Sequence, residues 1–308
     1  MSNYSDSSFS KDDPNTPWYK IFKLIEPESK VLDVGCSSGN FGEVLIKEKK
    51  CIVHGIEIDE GDFKKAKQKL TKVFDYNVET DELDGLDNDY DFIFFGDVIE
   101  HLVWPAGTLA RIRSYLKDDG KLLFSVPNMT NILVRLMLLQ GKFEYGRTGL
   151  LDQTHLHYYD YDFLQNVLNQ AGFEIEILDP IKKDLPDKVI TAELAKVGLK
   201  STKKFEDYTR STQASIYQFV GQAKKANPAR SRPLEISSPI DVFQEYMDAT
   251  EAHYEAEMEH LKANLQNLEK QNHLLQARLS RITNSIVWKT AVKARRAQKR
   301  VLHRKNES

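Results

Sequence analysis

The chain of 308 residues contains only two cysteines, Cys36 and Cys51. Neither lies in a CxxC pair or a His/Cys cluster, so no metal-binding knuckle is expected, and a disulfide-built scaffold is not either. Long apolar runs are equally scarce. No stretch of 18 apolar residues occurs, so no membrane span is expected. The greasiest run, Ile132 to Leu139, is short and carries Arg135. The opening MSNYSDSSFSKDDPN has no basic start followed by an apolar core, so it reads as a loose segment over residues 1–15 and not as a signal peptide. These absences predict a cytoplasmic protein.

What is present suffices for a well-buried core, with 41% hydrophobic and 29% charged residues. The net charge of −3 hides an uneven distribution. Lys289 to Ser308 holds eight Lys/Arg against one Glu, which leaves about −10 for the remainder. An acidic globule followed by a basic tail predicts two regions with two tasks.

The first 225 residues alternate between two periods. Strand-like runs fall at Val31–Val34, Cys51–Ile58, around Val73, Asp91–Phe95, Lys121–Val126, Phe173–Leu178 and Ser215–Ala223. Helical patterns intervene at Trp18–Ile25, from Phe41, at Asp62–Leu70, at Leu109–Tyr115, after Pro127 and at Asp160–Ala171. Such alternation predicts an α/β fold, a seven-stranded, mostly parallel sheet with helices on both faces. Residues 226–240, with Pro228, Pro233 and Pro239, have linker composition.

Beyond them the period changes to seven. Met247, Tyr254, Leu261, Leu268, Leu275 and Ile282 form one series. Glu251, Met258, Leu265, Asn272, Leu279 and Ile286 follow four residues behind. Two interleaved series make the seam of a coiled coil, placed at 241–286, with Leu at d and one Asn at a. A buried Asn at a is best satisfied by its twin, so a parallel homodimer is expected. Residues 287–308 read as a basic amphipathic tail carrying Trp288, of the kind that lies on an anionic membrane surface, here the inner face of the plasma membrane. The acidic globule and the lack of a nucleic-acid-binding motif argue against nucleic acid as a partner.

The segment richest in chemistry is VLDVGCSSGNFG at 31–42. A hydrophobic strand delivers Asp33 and then small residues, Gly35, Cys36, Ser37 and Gly39, at its carboxyl end, where open α/β sheets bind ligands. The spacing does not fit the GxGxxG dinucleotide fingerprint. An acid at the strand end would repel a pyrophosphate, whereas it suits a ligand carrying an ammonium and a sulfonium. This stretch resembles the first motif of the class I S-adenosylmethionine-dependent methyltransferases, close to VLDxGCGxGxxxxxL, with Ser37 in place of the middle glycine. Four more segments resemble that family in the expected order. Glu57 in GIEID matches the acid after the second strand, which in the family accepts from both ribose hydroxyls, with Asp59 as the fallback and Ile58 beside it. Asn77 and Val78 in DYNVE fall where the family contacts adenine, with Asp75 as the alternative to Asn77 in another register of the loop. YDFIFFGDVIEHL resembles FDxIxxxxVLEHL, which implies Asp97 and Val98 near the cofactor and His101 near the methyl group. LKDDGKLLFSVP resembles the fifth-strand segment. The resemblance thus implies a Rossmann-like fold, S-adenosyl-L-methionine as cofactor, and methyl transfer.

Methyl transfer from an activated cofactor leaves the protein to align the acceptor and take its proton. His101, His155 and His157 are the candidate bases. The last two alternate in DQTHLHYY, so an extended segment would turn both to one side. No carboxylates stand at ligand spacing in the motif segments, so a metal is not expected. The EHL segment with the HLHYY loop resembles bacterial surface-polysaccharide methyltransferases and quinone-type O-methyltransferases. The end segment NSIVWKTAVKARR resembles the end of several bacterial glycosyltransferases. Together with the coiled coil these predict O-methylation of a sugar or glycan; the alternatives are a quinone or phenol O-methyltransferase and a non-catalytic cofactor-binding scaffold.

Overall fold

A computed structural model of the chain describes residues 13–211, 213–226 and 239–305. Of the expected loose start over 1–15, residues 1–12 lie outside the described residues, as do residues 227–238 of the linker expected over 226–240. The chain divides into two compact units, Met1–Leu234 and Glu235–Ser308.

In the first unit the described strands form one sheet. They are β1 (Lys30–Val34), β2 (Ile52–Ile56), β3 (Lys72–Phe74), β4 (Tyr90–Gly96), β5 (Leu116–Pro127), β6 (Phe173–Leu178), β7 (Ile181–Lys182) and β8 (Ile216–Lys225). Their spatial order is β3-β2-β1-β4-β5-β8-β6, with β7 alongside β8. The first five run parallel, and β8 inserts antiparallel between β5 and β6. The order reverses at β1, which pairs β2 on one side and β4 on the other, so a crevice forms at the carboxyl ends of β1 and β4.

The helices of this unit are α1 (Pro17–Leu24), α2 (Asn40–Lys49), α3 (Glu60–Ala66), α4 (Pro105–Ile112), α5 (Ile132–Leu139), α6 (Tyr161–Gln170), α7 (Asp187–Ala195) and α8 (Lys203–Ser211). Strand alternation divides the core in two. Leu32, Val34, Ile93, Phe95, Leu122 and Phe124 pack with Leu109 and Ile112 of α4 and with Leu164 and Leu168 of α6. Val31, Val53, Phe92, Phe94 and Leu123 pack with Ile21 of α1, Phe41 and Leu45 of α2 and Ala66 of α3. Ile21 and Leu45 are fully buried, each contributing about 1.5–3 kcal/mol of hydrophobic stabilisation. Covering on both faces is what makes these strands read as near-continuous apolar runs.

Several boundaries differ from the sequence reading. The second strand ends at Ile56 and not Ile58, because Asp59 leaves the sheet to cap α3, accepting from Asp62 N–H at 2.9 Å. The helix expected at Leu109–Tyr115 starts at Pro105, whose fixed φ suits a first turn, and its last three residues tighten into a 3-10 turn. The sheet has eight strands instead of seven, the addition being the two-residue β7. Helices α7 and α8 were not anticipated; α7 buries only Ile190 and Leu194, too few positions for a visible stripe.

The second unit contains α9 (Pro239–Asn284) and α10 (Ile286–Lys305). The helix breaks at Ser285, whose Oγ accepts from Trp288 N–H at 3.1 Å and so caps α10. The heptad run expected to reach residue 286 is therefore interrupted one residue early, and Ile286 belongs to α10. Among the described residues no helix is long and apolar enough to cross a membrane.

Candidate active site

β1 ends by carrying Asp33 into the crevice, where it is 4% exposed. No hydrogen-bond donor among the described residues reaches its carboxylate. Burial, and then the charge of Glu57, push its pKa up to about 8. Gly35 follows at φ +71°, and a Cβ there would stand 2.6 Å from Cγ2 of Val98. The loop thus needs glycine twice over, for its left-handed backbone and for the close approach of Val98.

Ser37 replaces the family's glycine at a position that does require left-handed backbone, with φ +47°. The chain compensates through hydrogen bonds. Ser37 N–H donates to Glu57 Oε2 at 2.8 Å and its Oγ donates to Asp62 Oδ2 at 3.1 Å. Gly39, also left-handed, then starts α2.

Glu57 lies immediately after β2 and bridges two loops. Its Oε2 holds Ser37, and its Oε1 accepts from Asp59 N–H at 2.8 Å. Burial raises its pKa, and these N–H bonds oppose the rise. Ile58, beside it, is 67% exposed, an apolar surface next to the acid. Among the described residues neither Asp33 nor Glu57 forms an ion pair with a Lys or Arg.

Asp97 lies one residue past β4, at φ +55°. Its Oδ1 accepts from Ser125 Oγ at 2.9 Å and from Gln218 Nε2. Burial raises its pKa to about 6, against the pull of those two donors. Val98, half-buried, presses on Gly35. Asp33, Gly35, Ser37, Gly39, Glu57, Asp97 and Val98 therefore gather where the sheet order reverses.

Three cofactor candidates behave differently. Cys36 turns its sulfur into the core against Gly55, where a Cβ would meet it at 2.5 Å. Its N–H is also engaged, donating to Ile56 O at 3.1 Å, and burial raises its thiol pKa well above the ordinary range. Its side chain is a wall of the loop and not a ligand. Asn77 sits in an exposed turn and accepts from Glu79 N–H through Oδ1 at 2.9 Å. Val78 is buried in the core that contains Leu83 and Leu109.

The histidines separate into two environments. The segment at 151–159 turns instead of extending, so alternation does not put His155 and His157 on one side. Asp152 Oδ1 accepts from Thr154 N–H at 2.8 Å and sets the turn. His155 is buried against His101, with ring centroids 4.9 Å apart. His157 turns to Val103, its Nε2 lying 3.3 Å from that carbonyl. The N–H groups of Leu156 and His157 both donate to Glu100 O, at 2.9 and 3.1 Å, and clamp the loop to the turn after β4. The sequence reading missed Glu100 as a site residue. It is 1% exposed, Oε1 lies 3.9 Å from His155 Nε2, and burial raises its pKa. It stands next to His101 in the EHL segment, which was the available signal; its burial was not readable there.

A buried acid, Asp33, and a half-buried one, Glu57, with no cationic partner among the described residues, at the carboxyl ends of β1 and β2, fit a positively charged nucleoside and disfavour a pyrophosphate.

A family model described as a methyltransferase domain matches residues 18–177. Phosphoethanolamine N-methyltransferase 2 of Caenorhabditis elegans is 29% identical over 119 residues, covering 37% of this chain and 27% of that protein. The chain therefore spans about a quarter of that curated relative. Among solved structures, a SAM-dependent methyltransferase from Archaeoglobus fulgidus is 19% identical, with a TM-score of 0.47 over 70% of this chain and 95% of that one. One from Aquifex aeolicus is 18% identical, with a TM-score of 0.45 over 70% and 93%. Since the family match spans more than half of the sequence and contains the acid-lined crevice, the chain belongs to the methyltransferase-domain family, as a Rossmann-like class I member whose cofactor is S-adenosyl-L-methionine.

Proposed function

We propose that the chain is an S-adenosylmethionine-dependent methyltransferase that methylates a hydroxyl of a sugar or glycan in cell-surface polysaccharide assembly. The observation that carries the catalytic reading is a cation-seeking acid pair, Asp33 and Glu57, in the same crevice as Asp97, with the imidazoles of His101 and His155 gathered around Glu100, four residues beyond β4. The cofactor supplies a methyl group already activated by its positive sulfur. The chain's own groups align and deprotonate. Asp33 and Glu57 fix the nucleoside, Asp97 is held rigid by Ser125 and Gln218, and the Glu100–His101–His155 cluster eases loss of the acceptor hydroxyl proton. The choice of a sugar rests on the resemblance of the EHL and HLHYY segments and of the C-terminal segment to proteins of surface-glycan assembly. The test is calorimetry with S-adenosylmethionine on the wild type and Glu57→Ala, followed by release of S-adenosylhomocysteine with nucleotide sugars, glycans, phenols and phosphoethanolamine. Turnover with sugars supports the reading, turnover only with phenols or phosphoethanolamine reassigns the acceptor, and absence of cofactor binding refutes the whole.

The second unit supports a partner, which we propose is a second copy of the chain. Leu261, Leu265, Leu268, Leu275, Leu279 and Ile282 of α9 are each more than half exposed and follow the heptad seam. In a parallel pair the flanking g and e positions set Glu257 opposite Lys262 of the second copy and bring no like charges together. Asn272 then meets its twin.

A further inference from the structure

One cluster is more specific than its proton chemistry requires. Glu100 is 1% exposed, yet neither carboxylate oxygen has a hydrogen-bond partner among the described residues. An ionised carboxylate left so costs several kcal/mol, and the protonated form still leaves a donor unsatisfied. Two histidines face it. His155 Nε2 is 3.9 Å from Oε1, and one donor atom from each of Glu100, His101 and His155 lies within 4.8 Å of the others. Both rings are oriented by the backbone. A nitrogen facing a carbonyl oxygen must donate, so His101 Nδ1, 3.1 Å from Thr154 O, carries the proton and leaves Nε2 with a free lone pair. His155 makes a backbone hydrogen bond to Leu150. Such outer bonds fix the tautomer of metal-ligating histidines.

We propose that Glu100, His101 and His155 bind a divalent first-row transition-metal ion. Two imidazoles and one carboxylate form the facial arrangement that such ions favour, whereas calcium and magnesium prefer an all-oxygen shell. Facial ligands at about 2.1 Å from an ion lie about 3 Å from one another, so donor atoms that stand within 4.8 Å of one another draw together on binding by at most about 2 Å, through rotation of the side chains. Three protein ligands leave open positions. The inference rests on the methyltransferase reading for its purpose: an acceptor hydroxyl on an open position would have its pKa lowered, its proton passing to water as the oxygen prepares to form the new O–C bond. The motif segments hold no carboxylates at ligand spacing, and His155 lies some fifty residues beyond the Glu100–His101 pair, joining it only where the loop at 151–159 is clamped to Glu100 O.

The test uses the full-length protein stripped with a chelator, then titrated with zinc chloride by calorimetry and with cobalt chloride by visible absorption. One equivalent should bind, and the cobalt protein should show d–d bands. His155→Ala and His101→Ala should each weaken binding at least tenfold and alter the bands. His101 is half-buried, so its variant keeps the assay interpretable if His155→Ala fails to fold, which circular dichroism will show. The proposal is overturned by absence of stoichiometric binding, by unchanged binding in His101→Ala, or by a site that disappears only in the α9 variant His260→Ala/His273→Ala. Calorimetry with S-adenosylmethionine on the same samples separates the two readings, since metal binding without cofactor binding removes the enzymatic purpose and leaves the metal site standing.

Discussion

Replacing Asp33 by asparagine should stabilise the cofactor-free protein while abolishing its use of the cofactor, and the gain should depend on pH. In the folded chain, burial and the neighbouring Glu57 hold the Asp33 carboxyl at about 8, against an ordinary 3.8. In the unfolded chain it ionises near the ordinary value. Between the two values the folded state binds more protons than the unfolded state, so unfolding free energy falls as pH rises. The slope is at most about 1.4 kcal/mol per pH unit, a ceiling of about 6 kcal/mol over the window. Water admitted to the open crevice and local relaxation reduce this, and a loss of about 2–4 kcal/mol is expected. Asparagine keeps the shape and does not titrate. Urea denaturation of both proteins from pH 5 to 9 should show the wild type losing ground to Asp33→Asn up to pH 8, with no further divergence above it. Saturating S-adenosylmethionine should recover the loss in the wild type alone, because the ligand's positive charge replaces the proton. A stability difference that does not change with pH would refute the reasoning, as would a variant that still binds cofactor with wild-type affinity.

The other expectations concern the loop and the second unit. Gly35→Ala should destabilise the fold by about 1–3 kcal/mol, seen in thermal melts; adding Val98→Ala should recover the part due to the 2.6 Å approach and not the part due to φ. Light scattering should give the wild type twice the 35.5 kDa chain mass and Leu268→Lys/Leu275→Lys the single mass; a monomeric wild type defeats the proposed pairing. Removal of Lys289–Ser308 should abolish sedimentation with anionic liposomes at low salt, and equal sedimentation of both chains would argue against a membrane role for the tail.

The parts of the site that were legible in the sequence are those whose chemistry is local. Asp33 announces itself because an acid ends a buried apolar strand, and Glu57 because a second such strand ends the same way. The mostly parallel sheet and its two-sided core follow from alternating periods, which Leu32 and Val31 express by facing opposite helical layers. The histidine loop was only half legible. Alternation is a rule for extended chain, and Asp152 breaks it by capping a turn, which sends His155 to His101 and His157 to Val103. Glu100 was hidden for a related reason. A carboxylate in a charged-looking EHL segment reads as exposed, and only closure of a loop some fifty residues later buries it. Cys36 shows the opposite case, since a residue within a ligand-binding motif can turn its side chain into the core, here against Gly55.

The two strained positions at the crevice connect these cases. Ser37 and Asp97 both adopt left-handed backbone that costs a non-glycine residue about 1–3 kcal/mol. Neither strain is idle, because each residue is held by side chains from other elements: Ser37 by Glu57 and Asp62, Asp97 by Ser125 and Gln218. Those bonds tie the loop after β1 to the loop after β2, and the end of β4 to β5 and β8. The ends of β1 and β2 are thereby fixed to each other beside Asp33 and Glu57, and those of β4, β5 and β8 beside Asp97. A loop relaxed with glycine at position 37 would fold as readily but would surrender the hydroxyl that reaches Asp62 and with it one strut of the arrangement. The local rule is broken where rigid placement of charge matters most, as expected of a site that must hold its ligand in one orientation.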